Sequence, residues 1–170
     1  MKKALIVVDM QNDYLWDERK EWFSYDTNDL VNRVNKVIHE YKDNGSDIIY
    51  IKHIIQNLPT NKMLFGYSLE GTKGAEIFDG IDIVSDNIFI KHLSDSFRNK
   101  ELRKFVKDNG YEEIYVCGLD QFGCVAYTAI GATKQGLKSF IVKKGTATIL
   151  PEKKVLKMHN KLDKYGVSFI

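Results

Sequence analysis

Residues 114–132 read IYVCGLDQFGCVAYTAIGA and join a predicted strand to a predicted helix. The run from Ile114 to Gly118 is short, apolar and β-branched, which is typical of a buried strand. From Val125 onward, small and apolar residues recur at helical spacing until Gly136, which indicates the end of a helix. Cys124 lies at the turn between these two elements.

A cysteine at this turn is a candidate nucleophile. Its sulfur is expected near the N–H groups of the first helical turn and near the positive end of the helix dipole. Both features stabilise a thiolate, which is the reactive form of the side chain. The alternative is a buried packing residue, which is how we interpret Cys117, because that residue lies inside the apolar strand. Two cysteines do not form a disulfide framework.

Strands and helices are predicted to alternate along the whole chain. Strands are expected over 4–8, 47–51, 87–90, 113–118, 139–142 and 166–170, and helices over 29–41, 98–108, from 125 onward and 151–162. Thr27, Asn28 or Asp29 is expected to cap the first helix, and Pro151 to occupy the first position of the last one. The glycine-containing stretch 54–80 is long enough to suggest function. This alternation predicts an α/β fold with three layers, α/β/α, around a parallel sheet.

Composition narrows the class of protein. The chain has 170 residues, of which 44% are hydrophobic and 28% charged, which is typical of a single soluble globular domain spanning residues 1–170. A net charge of +2 and scattered lysines argue against nucleic acid as a partner. No apolar run is long enough to span a membrane, and the first ten residues lack the pattern of a signal peptide. We therefore expect a cytoplasmic protein that binds no membrane.

Three chemically capable residues follow predicted strands. Asp9 comes directly after the first strand, Lys91 after the third, and Cys124 on the turn after the fourth. Each alone has an ordinary alternative: a loop cap for the aspartate, a solvated lysine, and a buried cysteine. Because ligands bind outside the carboxyl ends of strands in open α/β sheets, their common placement favours nucleophilic catalysis.

The chain resembles the isochorismatase-like cysteine hydrolases, a family that includes nicotinamidase and N-carbamoylsarcosine amidase. Four segments carry the resemblance and occur in family order: residues 4–14 (ALIVVDMQNDY), 70–77 (EGTKGAEI), 89–97 (FIKHLSDSF) and the nucleophile block 116–136. They cover nearly the whole chain. Each segment alone is a weak signal, but four in order are a strong one.

The resemblance implies a Rossmann-like sheet of six parallel strands in the order 3-2-1-4-5-6. It also implies a catalytic triad in which Cys124 attacks a carbonyl carbon, Asp9 transfers the proton and Lys91 keeps the site electropositive. The backbone N–H groups of Asp120 and Cys124 would form the oxyanion hole. A cis peptide bond would join Leu119 to Asp120.

The substrate pocket is expected to combine residues from several loops. The residues expected to contact substrate are Gln11, Tyr14, His53 and Phe122. Aromatic residues that could form the wall of the cavity are Tyr14, Trp16, Trp22, Phe23, Phe65 and Tyr67. The alternative is that half or more of these aromatic side chains pack in the core or at a subunit contact.

Neither a catalytic metal nor another cofactor is expected. Metal-binding members of the family carry an Asp-x-His pair after the second strand, where this chain has Lys-His-Ile-Ile at 52–55. The chain also departs from the family at the nucleophile turn. Gln121 replaces a frequent threonine, and Asp120 replaces a small or apolar residue. A carboxylate there would raise the pKa of the thiol unless it points away or meets a cationic substrate group.

These observations predict a cysteine hydrolase that cleaves an amide-type C–N bond of a small molecule through a thioester on Cys124. One alternative is vinyl-ether hydrolysis of the isochorismatase type at the same site. Another is a non-catalytic small-molecule binder or scaffold of the same fold. The expected partners are the small-molecule substrate and further copies of the chain, in a dimer or a larger homo-oligomer.

Overall fold

Six parallel strands form one sheet in the computed structural model, which describes residues 1–170. The strands are β1 (Lys3–Val8), β2 (Asp47–His53), β3 (Ile88–Lys91), β4 (Glu113–Gly118), β5 (Lys138–Thr146) and β6 (Ser168–Phe169). Their order is β3-β2-β1-β4-β5-β6, and every neighbouring pair is parallel. The predicted α/β class and the strand order 3-2-1-4-5-6 are confirmed.

Helices cover both faces of the sheet. They are α1 (Asn12–Leu15), α2 (Thr27–Asp43), α3 (Pro59–Leu64), α4 (Lys100–Asp108), α5 (Ala126–Lys134) and α6 (Glu152–Lys164). Apolar residues of α1 and α2 belong to one buried cluster, and those of α4, α5 and α6 belong to a second. None of the helices has the length and apolarity that a bilayer crossing requires.

The central strand β1 contributes to both apolar clusters. Ala4 and Ile6 pack into the cluster with α4, α5 and α6, whereas Leu5 and Val7 pack into the cluster with α1 and α2. Successive side chains of a strand point to opposite faces, so a strand buried on both faces is apolar throughout. This burial fixes the register of β1, whose carboxyl end leads directly into Asp9.

Several predicted boundaries are corrected. The cap of α2 is Asp26, whose carboxylate accepts a hydrogen bond from Asp29 N at 3.1 Å, so the prediction of a cap at 27–29 is wrong. Pro151 precedes α6 as its cap, with extended backbone, and does not occupy the first helical position. Strand β5 extends to Thr146, whereas β6 has only two residues.

The sequence did not predict two short helices. α1 has four residues, and α3 has six and lies within the stretch 54–80, where no helix or strand is predicted. Elements this short span fewer than two helical turns, so they show no recurring apolar spacing that could identify them. The same stretch also contains a 3-10 turn, Lys73–Ala75.

Candidate active site

Asp9, Lys91 and Cys124 meet at the carboxyl edge of the sheet. The Nζ atom of Lys91 lies 2.8 Å from Asp9 Oδ2 and 3.1 Å from Cys124 Sγ. Three residues from separate parts of the chain are therefore in direct contact, as the strand ends suggested. Their catalytic roles remain predictions.

Local backbone geometry turns Asp9 into the site. Its φ is 55°, in the left-handed region, and its N–H donates to Ile51 O at 3.0 Å. The neighbouring strand β4 ends at Gly118, where a Cβ atom would lie 2.1 Å from Val8 O. Only a glycine therefore allows β4 to approach β1 this closely beside Asp9.

Burial makes the Asp9–Lys91 ion pair the electrostatic centre of the site. The two residues are only 3% and 2% exposed. Burial lowers the pKa of Lys91, but the negative charge of Asp9, the charge of Cys124 and hydrogen bonds to both outweigh burial, so this pKa is raised. The lysine is therefore a stable ammonium. Asp9 Oδ1 has no hydrogen-bond partner and can accept a proton.

The surroundings of Cys124 favour the neutral thiol in the free protein. Burial and the negative charge of Asp9 raise its pKa to about 12, although Lys91 opposes the shift. The expectation that the helix start stabilises a thiolate is thus wrong. Cys124 lies in a kinked turn, Gln121–Val125, before α5 begins, and the backbone of Gly123 in that turn is not helical. The sulfur is therefore not placed on a regular first helical turn, and burial and the nearby carboxylate of Asp9 raise its pKa.

The turn before Cys124 has the backbone geometry that the resemblance implied. The peptide bond between Leu119 and Asp120 is cis. The Asp120 carbonyl accepts hydrogen bonds from Gly123 N at 3.0 Å and Val125 N at 3.1 Å, which close the turn. The Asp120 N–H donates to no acceptor in the protein and is free to bind a ligand oxygen.

The carboxylate of Asp120 points away from the thiol. It accepts four hydrogen bonds: from Tyr25 Oη at 2.9 Å, Thr148 Oγ1 at 2.7 Å, Ile149 N at 2.9 Å and Phe122 N at 3.0 Å. Asp9, rather than Asp120, is the carboxylate that raises the pKa of Cys124. The departure from the family at this position therefore connects the nucleophile turn to two other loops.

Tyr14 and His53 adjoin the three central residues. Tyr14 Oη accepts a hydrogen bond from Ser68 Oγ at 2.8 Å and lies 3.3 Å from His53 Nδ1. Burial, followed by the positive charge of Lys91, lowers the pKa of His53, so the imidazole is neutral at pH 7. Ser68 belongs to no motif in the sequence, and only its tertiary contact identifies it.

Two residues expected to contact substrate have other roles. The Gln11 side chain is fully buried and bonds only to backbone, with Nε2 donating to His53 O and Ala75 O and Oε1 accepting from His53 N. Phe122 packs against the rings of His159 and Phe169 in the core. Both predictions are corrected, because neither side chain faces the site. Gln11 instead fixes the end of β2.

An aromatic cluster forms beside Tyr14. The Phe23 ring contacts Tyr14 and Tyr67 edge-on, with centroid distances of 4.8 and 5.1 Å, and Trp22 and Phe65 extend the cluster. Burial and then the charge of Cys124 raise the pKa of Tyr67, which shows that the cluster is close to the thiol. Trp16 is not part of it.

The Gly-Thr-Lys-Gly segment, residues 71–74, packs against the helix α1 beside the site. A Cβ atom at Gly74 would lie 2.1 Å from the carboxylate of Asp13, so this backbone packs directly on α1. Asn12 Nδ2 donates to Lys73 O at 2.7 Å. The motif thus holds the helix that carries Tyr14, and its role is positional.

The side chains here do not fit the metal of the metal-binding family members. No group of three or more His, Cys, Asp or Glu side chains is placed to hold an ion. The Nδ1 atom of His53 is bonded to Tyr14, and Nδ1 of His92 lies 2.7 Å from Ile54 O. A hydrogen bond at one ring nitrogen is compatible with metal ligation by the other, so the misfit lies in the missing further ligands.

Comparisons with known proteins identify the family of this chain. A sequence model of the isochorismatase domain matches residues 3–169. The uncharacterized isochorismatase family protein YddQ of Bacillus subtilis is 24% identical over 149 residues, which is 87% of this chain and 79% of that protein. An Arabidopsis thaliana protein named "probable inactive nicotinamidase" is 24% identical over 162 residues, covering 88% of this chain and 82% of its own.

A solved structure has the same fold. The pyrazinamidase of Pyrococcus horikoshii in complex with zinc superposes with a TM-score of 0.81 at 24% identity, covering 100% of this chain and 99% of that one. Because the domain match spans nearly the whole chain, the protein belongs to the isochorismatase family.

Proposed function

We propose that this protein is a cysteine hydrolase that cleaves an amide-type C–N bond of a small molecule through a thioester on Cys124. The observation that carries the proposal is the contact of Lys91 Nζ with both Asp9 Oδ2 and Cys124 Sγ. One carboxylate, one ammonium and one thiol in contact at a strand edge suit acyl transfer. The name of the Pyrococcus relative, a pyrazinamidase, supports an amide as the substrate.

In the acylation step, the substrate carbonyl carbon lies next to Cys124 Sγ. The thiol proton passes to Asp9 as the C–S bond forms, and the carbonyl oxygen becomes an oxyanion. The N–H groups of Asp120 and Cys124 stabilise that oxyanion. Asp9 then gives the proton to the leaving nitrogen as the C–N bond breaks, which releases an amine or ammonia and leaves a thioester.

In the deacylation step, water attacks the thioester carbon and Asp9 takes a proton from it. The C–S bond then breaks, the proton returns to the sulfur, and a carboxylic acid is released. Asp9 therefore acts as base and acid in turn, and no net proton is lost. No step requires a metal, and the zinc of the Pyrococcus structure is not transferred to this chain.

A pKa of about 12 for Cys124 makes proton transfer part of the attack. Free thiolate is scarce at pH 7, so the sulfur becomes nucleophilic only when Asp9 accepts its proton. The Oδ1 atom of Asp9 is available for this because it has no other partner. Lys91 keeps its charge throughout and stabilises the thiolate as it forms.

The neutral thiol also supports a second candidate function, in which a protein of the same fold binds a small molecule without catalysis. The Arabidopsis relative whose name describes it as inactive points in the same direction. Such a protein would bind a small molecule without acylation of Cys124. The two candidates differ in whether the sulfur ever carries an acyl group.

The test is a screen of amides and ureas, followed by intact-mass measurement of the protein during turnover. We expect hydrolysis by the wild-type protein, an acyl adduct on Cys124, and loss of turnover in Cys124→Ala. Cys117→Ala is the matched control, because Cys117 is fully buried and should not affect turnover beyond a small stability cost. Full activity of Cys124→Ala would overturn the covalent mechanism. Binding without any adduct would favour the non-catalytic candidate.

A further inference from the structure

A pocket of about 510 Å³ opens at the ends of β2 and β3, next to the ion pair. His53 pairs in register with Lys91, and Ile54 N donates to Lys91 O at 2.9 Å, so this pocket directly adjoins the site. Its wall includes Phe65 and Tyr67 of the aromatic cluster. Its volume suits a small molecule.

None of the ten residues that line this pocket is Asp, Glu, Lys or Arg. The only ionisable side chains that could become cationic there are His53 and His92. Lys62, on α3, is exposed to solvent and does not line the pocket. The buried ammonium of Lys91 is already neutralised by Asp9.

His53 is uncharged at pH 7 because burial and the positive charge of Lys91 lower its pKa. Ser68 Oγ donates to Tyr14 Oη, so the single proton of the phenol is free for its other partner, His53 Nδ1. In the neutral imidazole that carries its proton on Nε2, Nδ1 accepts that phenol proton. The negative charge of Asp9 and a hydrogen bond with the backbone of His92 act in the opposite direction on the pKa of His53 and are smaller contributions.

We infer that this pocket selects uncharged substrates and rejects those that carry a carboxylate. An anion entering it would lose its hydration without meeting an unpaired cation, which is unfavourable. The inference rests on the proposed function and deepens it, because it names the substrate class. It also counts against isochorismatase-type chemistry here, since that substrate carries carboxylates.

A second cavity differs from this pocket because charged side chains line it. It lies outside β3, has a volume of about 540 Å³ and shares His92 and Leu93 with the first pocket. Its charged lining residues are Lys91, which is paired with Asp9, and the unpaired cations Arg98 and Lys100 together with Glu101. An anionic ligand would be better accommodated there. Variants in the two cavities can therefore show which one a ligand uses.

The test measures binding to the Cys124→Ala protein at pH 8, where free imidazoles are neutral. The probes are benzamide and 3-carboxybenzamide, which differ by one carboxylate. We expect benzamide to bind at least about tenfold more tightly. Ser94 lines the pocket, and adding a cation through Ser94→Lys should tighten 3-carboxybenzamide about tenfold relative to benzamide. Arg98→Gln is the matched control and should change neither.

Three results would overturn the inference: equal binding of the two probes, no benzamide binding at millimolar concentration, or loss of carboxylate binding in Arg98→Gln. Because binding is measured without the nucleophile, the two proposals can fail separately. If the predicted order of affinities is found but no amide is hydrolysed, only the proposed function fails. If neutral and carboxylated amides are hydrolysed equally well, only the charge selection fails.

Discussion

Lys91 is a buried cation that contacts the carboxylate of Asp9 and the thiol of Cys124. A buried ammonium is tolerated because Asp9 and Cys124 replace the water that it loses. Removing one partner of such a pair leaves the other charge buried and uncompensated. An uncompensated buried charge lowers the free energy of unfolding by more than the loss of an exposed ion pair does.

Lys91→Met should therefore lower the free energy of unfolding by roughly 3–5 kcal/mol, as measured by urea denaturation. The matched control is Lys52→Met, which removes a 2.7 Å ion pair with the exposed Glu76 and should cost less than about 1 kcal/mol. Equal losses in the two variants would show that the Asp9–Lys91 pair contributes no more than a surface pair.

Asp9→Asn should change turnover and thiol reactivity in opposite directions. Turnover should fall by about 10²-fold or more, because the proton acceptor is lost. Iodoacetamide should alkylate Cys124 faster at pH 8–9, because the negative charge that raises the thiol pKa is gone. In a Cys117→Ala background, the pH profile of alkylation should shift to lower pH. Slower alkylation would contradict the assigned cause of the shift.

The sequence predicted which residues meet at the site but not how their surroundings shift their pKa values. Asp9, Lys91 and Cys124 each follow a strand, and the ends of parallel strands share one edge. The pKa of Cys124 depends on how deeply the sulfur is buried and which carboxylate is nearest. Neither quantity is local in sequence, so the predicted direction was wrong.

At the scale of elements, hydrogen bonds to the side chain of Asp120, rather than the start of helix α5, fix the turn that carries Cys124. Three of the four hydrogen bonds of Asp120 connect residues 119–125 to Tyr25 and to the loop after β5, and the fourth, from Phe122 N, lies within the turn. This carboxylate touches no reacting atom. It is a positioning residue for the turn that carries Cys124.

Asp120→Asn should lower kcat by about 10- to 100-fold with little change in KM, because an amide cannot accept from all four donors and the turn shifts. The pH profile of Cys124 alkylation should stay unchanged, since Asp120 does not set the thiol pKa. Asp82→Asn, at an exposed partner of His39, is the control and should retain full activity. A shifted pH profile would mean that Asp120 acts on the thiol directly.

Gly118→Ala tests how closely β4 must approach β1. Gly118 and Gly45 both have left-handed φ, at 104° and 78°, but only Gly118 faces backbone, at 2.1 Å, whereas Gly45 has open space. Gly45→Ala should cost about 1–2 kcal/mol from the backbone conformation alone. Gly118→Ala should cost more and should also remove activity, because Asp9 follows the displaced strand. Equal costs in thermal unfolding would contradict the clash.

Elements with a long apolar pattern were predicted well, and short or capped ones were not. β4 matches its predicted bounds, 113–118, because its apolar run is buried on both faces. The cap Asp26 was missed because Asp26, Thr27, Asn28 and Asp29 are all suitable caps, and only the backbone geometry selects among them.

At the scale of the whole molecule, two apolar clusters share one sheet. Both clusters draw residues from β1 and β4, so neither can lose its packing while the other stays intact. We therefore expect residues 1–170 to unfold as one domain, with a single calorimetric transition and equal calorimetric and van't Hoff enthalpies. Two separate transitions would contradict a single cooperative domain.

The sequence by itself determined the strand alternation, the parallel sheet and the three residues at its edge. These follow from apolar periodicity and from motifs in order, which are properties of neighbouring residues. Only the tertiary structure decided the neutral state of Cys124, the outward orientation of Asp120, the relay from Ser68 through Tyr14 to His53, and the uncharged pocket. The physical reason is that burial and electrostatics depend on groups brought together from distant parts of the chain. Such contacts leave no pattern in the local sequence.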